Sequence, residues 1–333
     1  MHFETNYRQV ATSSQVQLVC LSTTLVVTSA DKCVTPTSTW SDNAPRSALA
    51  LVPPLLELLF YTPSSLQLRS DHEHLRFLSY VETQHEVSLV FEEQLLAKFP
   101  QGVLEFEPLR WKALQISTYQ TDYVLVKVED LDAAIGCLQS FCSIEMESEE
   151  QLSVVGGGDE PEQDAEQKEE PLEVHQHPLS VPDVKLHLVQ LNRTFVRRHL
   201  YSLVELLFKP TQLEEERFLS YSETGDDISV VTSDENFLDE ARTLMEQGDQ
   251  GVLVSPDFWR PVQIGNTKLG FAETGIVAGQ TRVLVNAGTT VFYLSTYATD
   301  FMLIKEDEWD DALPILRDHF RLIEGWGALY IFA

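Results

Sequence analysis

A twelve-residue segment occurs twice in this chain. ISTYQTDYVLVK (Ile116–Lys127) returns as LSTYATDFMLIK (Leu294–Lys305), identical at Ser, Thr, Tyr, Thr, Asp, Leu and Lys and exchanging one apolar residue for another at four more positions. LLELLF (Leu55–Phe60) returns as LVELLF (Leu203–Phe208), and RFLSYVET (Arg76–Thr83) as RFLSYSET (Arg217–Thr224), in the same order. A repeat this long and this irregular is a duplicated domain or domain pair, too coarse for a solenoid. The space between duplicated modules is a natural ligand site.

The two copies differ in length. After Trp259 a long stretch, RPVQIGNTKLGFAETGIVAGQTRVLVNAGTTVFYL, leads to the Ser-Thr-Tyr motif, whereas after Trp111 only KALQI does. The first half therefore lacks one strand's continuation and one helix.

In the second half, KLHLVQL (185–191) alternates as a strand does, and Phe195–Phe208 carries apolar residues at helical spacing until Pro210. RFLSYSE and DISVVTS flank a turn at Thr224-Gly225-Asp226, Glu235–Gln247 is a second helix, and Gly251–Ser255 a short strand. The order β-α-β-β-α-β then recurs. Arg260–Gly265 is a strand, Gly275–Asn286 a short helix, TVFYLST and DFMLIKE a hairpin, Glu308–Phe320 a helix with Pro314 inside it, and GALYIFA a final strand. The first half repeats the scheme with a strand at 16–22, a helix at 53–60, the RFLSYVE/VSLVF hairpin, the 114–127 hairpin and a helix at 131–141.

This predicts an α+β protein of paired antiparallel sheets, each with its helices on one face. The expected divisions are an N-terminal strand and irregular insertion (1–48), module 1 (49–103, with strand 16–22), a truncated module 2 (104–144), an acidic linker (145–183), module 3 (184–255) and module 4 (256–333). Small modules are marginal alone, and side-by-side sheet pairing would both stabilise them and remove edge strands.

The formal charge of −29 argues against nucleic acid or an anionic membrane as partner. Much of it lies in 145–173, which contains Gly156–Gly158, is almost free of aromatics, and reads as a linker. Four cysteines without a C-x-x-C fit a reduced, cytosolic setting, and no run of residues is long and apolar enough to span a membrane. His72-Glu73-His74 and His175/His177 lack a third ligand in suitable spacing, so no metal site is expected. No catalytic constellation and no cofactor fingerprint stands out.

Paired β-α-β-β-α-β units, S-T-Y-Q-T-D at Ser117–Asp122, L-G-F-x-E-x-G-I-V-A at Leu269–Ala278 and S-T-Y-x-T-D at Ser295–Asp300 together resemble the CASTOR family of cytosolic arginine sensors, built from tandem ACT modules. The resemblance covers most of 50–145 and 184–320. It implies a non-catalytic regulator of TOR signalling that binds an amino acid between modules 2 and 4 and acts on a GATOR-type complex. A homodimer is left open.

By that resemblance the ligand residues would be Gly270, Phe271, Glu273, Gly275, Ile276, Val277, Thr296, Tyr297 and Asp300. Chemistry agrees with it. The helix opening at Gly275 offers free N–H groups to a carboxylate, Glu273 could accept from an ammonium, and Asp300 could pair with a guanidinium. Lys112 and Ala113 stand where the family has a small hydroxyl residue and an apolar neighbour, and a lysine there would repel a cationic ligand. Tyr119, Gln120 and Asp122 would face the partner. Because Thr296, Tyr297 and Asp300 have twins at Thr118, Tyr119 and Asp122, a purely structural turn role is open for each. A ligand-free scaffold is the alternative reading, and a detached regulatory subunit of a biosynthetic enzyme a third.

Overall fold

The computed structural model describes residues 17–31, 47–61, 77–84, 86–117, 121–139, 142–146, 177–208, 217–224, 227–265, 269, 271 and 275–326. In the first half the strands are β1 (Gln17–Cys20), β2 (Leu25–Asp31), β3 (Phe77–Glu82), β4 (Glu86–Glu92), β5 (Glu105–Phe106), β6 (Trp111–Ser117), β7 (Thr121–Lys127) and β8 (Ser143–Met146), with helices α1 (Ser47–Leu56) and α2 (Leu131–Leu138). In the second half they are β9 (Leu179–Val181), β10 (Leu186–Asn192), β11 (Leu219–Thr224), β12 (Asp227–Thr232), β13 (Val252–Ile264), β14 (Val291–Ser295), β15 (Asp300–Lys305) and β16 (Leu322–Glu324). Its helices are α3 (Leu200–Phe208), α4 (Glu235–Glu246), α5 (Ile276–Asn286) and α6 (Trp309–His319). The chain forms two compact units, one of Met1–Val26 with Pro108–Glu162 and one of Val27–Glu107 with Gln163–Ala333.

Within the larger unit, module 3 is a four-stranded antiparallel sheet in the order β13-β10-β12-β11. Asp234 caps α4 by accepting the Phe237 N–H at 3.0 Å, and Phe237, Leu238 and Ala241 are buried. Module 1 has the same plan, β5-β2-β4-β3. The two join edge to edge as the repeat suggested. β3 and β11 pair antiparallel with Tyr80 opposite Tyr221, so the twin RFLSY motifs lie side by side. Each tyrosine hydroxyl donates to a buried glutamate two residues on, Tyr80 to Glu82 at 3.2 Å and Tyr221 to Glu223 at 3.5 Å.

Module 4 runs β16-β9-β13-β15-β14. Leu179, Val262, Ile264, Leu284, Met302, Ile304, Trp309, Ala312 and Leu316 form its buried core. The strands expected at 251–255 and 260–265 fall, apart from Gly251 and Gly265 at their ends, within a single 13-residue β13, whose first part pairs with β10 and whose last part pairs with β9 and β15. β9 falls inside the span expected as linker. The modules of this half are thus nested: module 3 is inserted between β9 and the rest of module 4.

The smaller unit repeats that plan as β8-β1-β6-β7. This corrects the place of the N-terminal strand. Expected with module 1, Gln17–Cys20 pairs antiparallel with β6 and parallel with β8, just as β9 does with β13 and β16. Strands of three or four residues hold too few side chains to encode a partner; the partner's register selects them.

The helix expected at 53–60 begins earlier, so Pro53 and Pro54 lie inside α1, and the chain continues as a π-helical turn over Glu57–Tyr61. Burial of Leu51, Leu55, Leu58 and Leu59 holds it in place. Phe195–Phe208 is split into a 3-10 turn, Arg193–Arg198, and α3. The turn at Gly225-Asp226, the GALYIFA segment, the insertion over 32–46 and the linker over 147–176 lie outside the described residues.

Candidate functional site

Most of the expected ligand residues that the structure describes belong to module 4. Gly275 holds the N-cap position of α5 with φ 78° and ψ 2°, in the left-handed region, and as a glycine it has no side chain to cap the helix N–H groups. It is exposed, and a Cβ built there would meet nothing within 4 Å. Ile276 packs against the module core, whereas Val277 is exposed. The opening of α5 therefore presents backbone N–H groups toward free space.

Asp300 opens β15, opposite Ser295 on one side and Ile264 on the other. Alternation puts it on the face of Met302 and Ile304, the face that α5 covers. Tyr293, on the same face, connects it with the helix. The Thr281 hydroxyl of α5 donates to the Tyr293 hydroxyl at 3.0 Å. Burial pushes the Tyr293 phenol up, the Thr281 hydrogen bond pulls it back, and the Asp300 carboxylate raises it further. A carboxylate and an open helix N-terminus thus share one side of one sheet.

The Thr296–Thr299 turn between β14 and β15 looks in sequence like an exposed hairpin tip, but all four of its residues are buried. It closes on itself through the Thr296 N–H to Thr299 O (2.8 Å) and the Thr299 N–H to Thr296 Oγ1 (3.0 Å). It also docks onto module 1. The Thr296 hydroxyl donates to Glu86 Oε1, the Ala298 N–H reaches the same oxygen at 3.3 Å, the Tyr297 N–H donates to Ser88 Oγ at 2.9 Å, and the Tyr297 hydroxyl to Glu105 Oε1 at 3.3 Å. On its other side the turn holds Leu269 and Phe271. The Ala298 carbonyl accepts the Leu269 N–H at 2.8 Å, and the Phe271 ring meets Tyr297 edge-on at 5.4 Å.

Lys112 and Ala113 are in the other unit. The Lys112 ammonium donates to the Ser22 carbonyl, and buried Ala113 accepts the Leu21 N–H at 2.9 Å. Gly270, Glu273, Tyr119 and Gln120 lie outside the described residues, as does the side chain of Asp122. Glu86, Ser88 and Glu105 were not legible as site residues. Glu86 has an acidic twin in Asp227 and Ser88 a twin in Ser229, and nothing local distinguishes the copy that receives a turn. Among the described residues no group of three or more His, Cys, Asp or Glu is placed to hold a metal ion, and no helix is long and apolar enough to cross a membrane.

Two family models match the chain. The model described as ACT domain matches residues 112–140 and 254–318, and the model described as cytosolic arginine sensor for mTORC1 subunit 1/2, ACT-like, matches 17–107. Cytosolic arginine sensor for mTORC1 subunit 1 from Rattus norvegicus is 28% identical over 221 residues, covering 61% of this chain and 63% of that protein. The Homo sapiens protein of the same name is 28% identical over 61% of this chain and 64% of its own length. The chain thus spans less than two thirds of the curated relatives it matches. Among solved structures, aspartate kinase from Synechocystis aligns with TM-score 0.33 and 10% identity over 92% of this chain and 56% of that one. The regulatory subunit of aspartate kinase from Thermus thermophilus aligns with TM-score 0.32 and 9% identity over 44% and 98%. Both family models and the curated relatives agree in kind: the chain carries ACT-type modules and is similar to the cytosolic arginine sensors of the CASTOR family.

Proposed function

We propose that this chain is a non-catalytic regulatory sensor of TOR nutrient signalling that binds a free amino acid, arginine first among them. The observation that carries the reading is Asp300 and the open N-terminus of α5 on the same side of the module 4 sheet. An amino acid brings a carboxylate for the helix N–H groups and, if it is arginine, a guanidinium for a carboxylate such as Asp300. Gly275 leaves the approach clear. By the family resemblance Gly270, Glu273, Lys112 and Ala113 are further candidate ligand residues. Bound ligand would shift the population of a partner-binding state, with Tyr119, Gln120 and Asp122 on the surface offered to a GATOR-type complex.

The alternative, a scaffold that takes no ligand, is favoured by one specific observation. Thr296 and Tyr297 already spend their polar groups on Glu86, Ser88 and Glu105. Titration calorimetry of the full chain against the twenty amino acids separates the readings. Saturable heat with arginine is expected, and no heat and no thermal shift with any of them would leave the scaffold.

A further inference from the structure

The geometry points to Glu86 as a positioning residue for the candidate amino-acid site, one that acts from a different module without touching ligand. This rests on the sensor reading for its functional half and on the contacts themselves for its structural half.

Glu86 opens β4 in module 1 and is buried, at 4% exposure. Its Oε1 receives the Thr296 hydroxyl and the Ala298 N–H, and its Oε2 receives the Ser29 hydroxyl at 3.3 Å. Its own N–H donates to Thr83 Oγ1 at 3.3 Å, which fixes the start of the strand. Hydrogen bonds to an ionised carboxylate are roughly twice as strong as neutral ones, and burial strengthens them further. A single side chain of module 1 therefore binds two groups of the 296–299 turn of module 4, and Ser88 takes a third.

The turn passes that restraint on in two directions. Asp300 is the next residue along the chain, so the placement of the turn sets where β15 begins. On the opposite side, Ala298 O and the Tyr297 ring hold Leu269 and Phe271, four to six residues before Gly275. The turn thus sets where β15 and Asp300 begin and holds Leu269 and Phe271, which precede the opening of α5 in the chain, and Glu86 is its anchor. A polar turn buried against another module needs such a receptor, because its N–H and hydroxyl groups would otherwise lose water without compensation. Through Glu86, and with Ser88 and Glu105 beside it, module 1 acts on the site by orienting this turn.

Hydrogen exchange on the full chain tests the contact. In Glu86→Gln the amides of Tyr297 and Ala298 exchange about tenfold faster, the loss expected from weakening one charge-assisted hydrogen bond, while the β10 and β12 amides of module 3 keep their protection. Unchanged exchange in the turn overturns the anchor. Calorimetry with arginine tests the functional half. Glu86→Gln raises the arginine Kd about tenfold. If the wild-type chain takes up arginine and Glu86→Gln binds it equally well despite a loosened turn, the positioning role is overturned. If the wild-type chain binds no amino acid, the sensor reading fails by itself and the exchange result still decides whether Glu86 anchors the turn. Should Glu86→Gln not fold, Glu86→Asp, which withdraws the carboxylate while keeping its charge, probes the same contact, and an unaltered Ala298 exchange rate there overturns it equally.

Discussion

Val124 and Met302 hold the same position in the twelve-residue repeat, yet Val124 is 47% exposed and Met302 is 0% exposed. Met302 lies in the module 4 core with Leu284 of α5, and pairs with Tyr293 of β14. Among the described residues the first copy has no counterpart of either element. β6 takes the place of β13 beside β1 and pairs antiparallel with β7, Ser117 opposite Thr121. The shortened repeat thus keeps its sheet order and loses a cover.

That difference sets the cost of equivalent substitutions. Met302→Ala should destabilise by about 3 kcal/mol, and Val124→Ala by about 0.5 kcal/mol or less, because only the first opens a cavity. Urea unfolding of both variants, read for midpoint and slope, gives the comparison. Equal losses would mean that Val124 is covered.

The seam between the twin strands offers a second test. Arg217 is 6% exposed, stands 3.7 Å from Glu82 across modules, and donates to the Leu206 carbonyl. Arg217→Ala removes the cation facing a buried carboxylate and should cost about 3 kcal/mol. Adding Glu82→Gln should recover part of this loss. A change below about 0.5 kcal/mol in the single variant would place Arg217 among ordinary surface residues.

Acid stability should report on Glu306. Its hydrogen bond with Arg260, 3.0 Å for one of the two contacts, and with Lys185 at 2.8 Å, lowers its carboxyl from 4.5 to about 2. A folded value below the unfolded one stabilises above the unfolded value, and the benefit disappears as pH falls from 4.5 through about 2. Because the carboxylate keeps 30% of its surface exposed, solvent screening holds the contribution to about 1 kcal/mol. Glu306→Gln should therefore lose about that much stability at neutral pH and show a shallower decline in this acid window. Parallel curves for both proteins would contradict the assignment.

Gly275→Ala separates backbone strain from crowding. With φ 78° and open space around the missing Cβ, the variant should lose about 1 kcal/mol in thermal unfolding through conformation alone. Arginine affinity should fall with it as α5 opens differently. No loss of stability would show that this turn relaxes freely.

Asp300→Ala should weaken arginine binding about tenfold or more, the loss of a charge-assisted pair. The variant should leave a neutral amino acid's heat, where one is measurable, much less affected. An arginine affinity equal to wild type would remove Asp300 from the ligand's surroundings.

Residue pattern alone determined the modules. Alternation in RFLSYVE and RFLSYSE, helical spacing in Leu200–Phe208, Glu235–Glu246 and Trp309–His319, and the twinned S-T-Y-x-T-D hairpins each write a local period, and local periods are what backbone geometry imposes on a chain. The repeat also carried the missing strand and helix of the first copy. Tertiary structure decided which elements belong together. Gln17–Cys20 and Leu179–Val181 are short strands whose partners lie far along the chain, and no period within a few residues can name a distant partner. It decided too that Thr296–Thr299 is buried on Glu86, although Glu86 and its twin Asp227 stand in nearly the same local sequence. Both copies spell nearly the same turn and nearly the same acid, and only the packing of one module on another converts that resemblance into a contact.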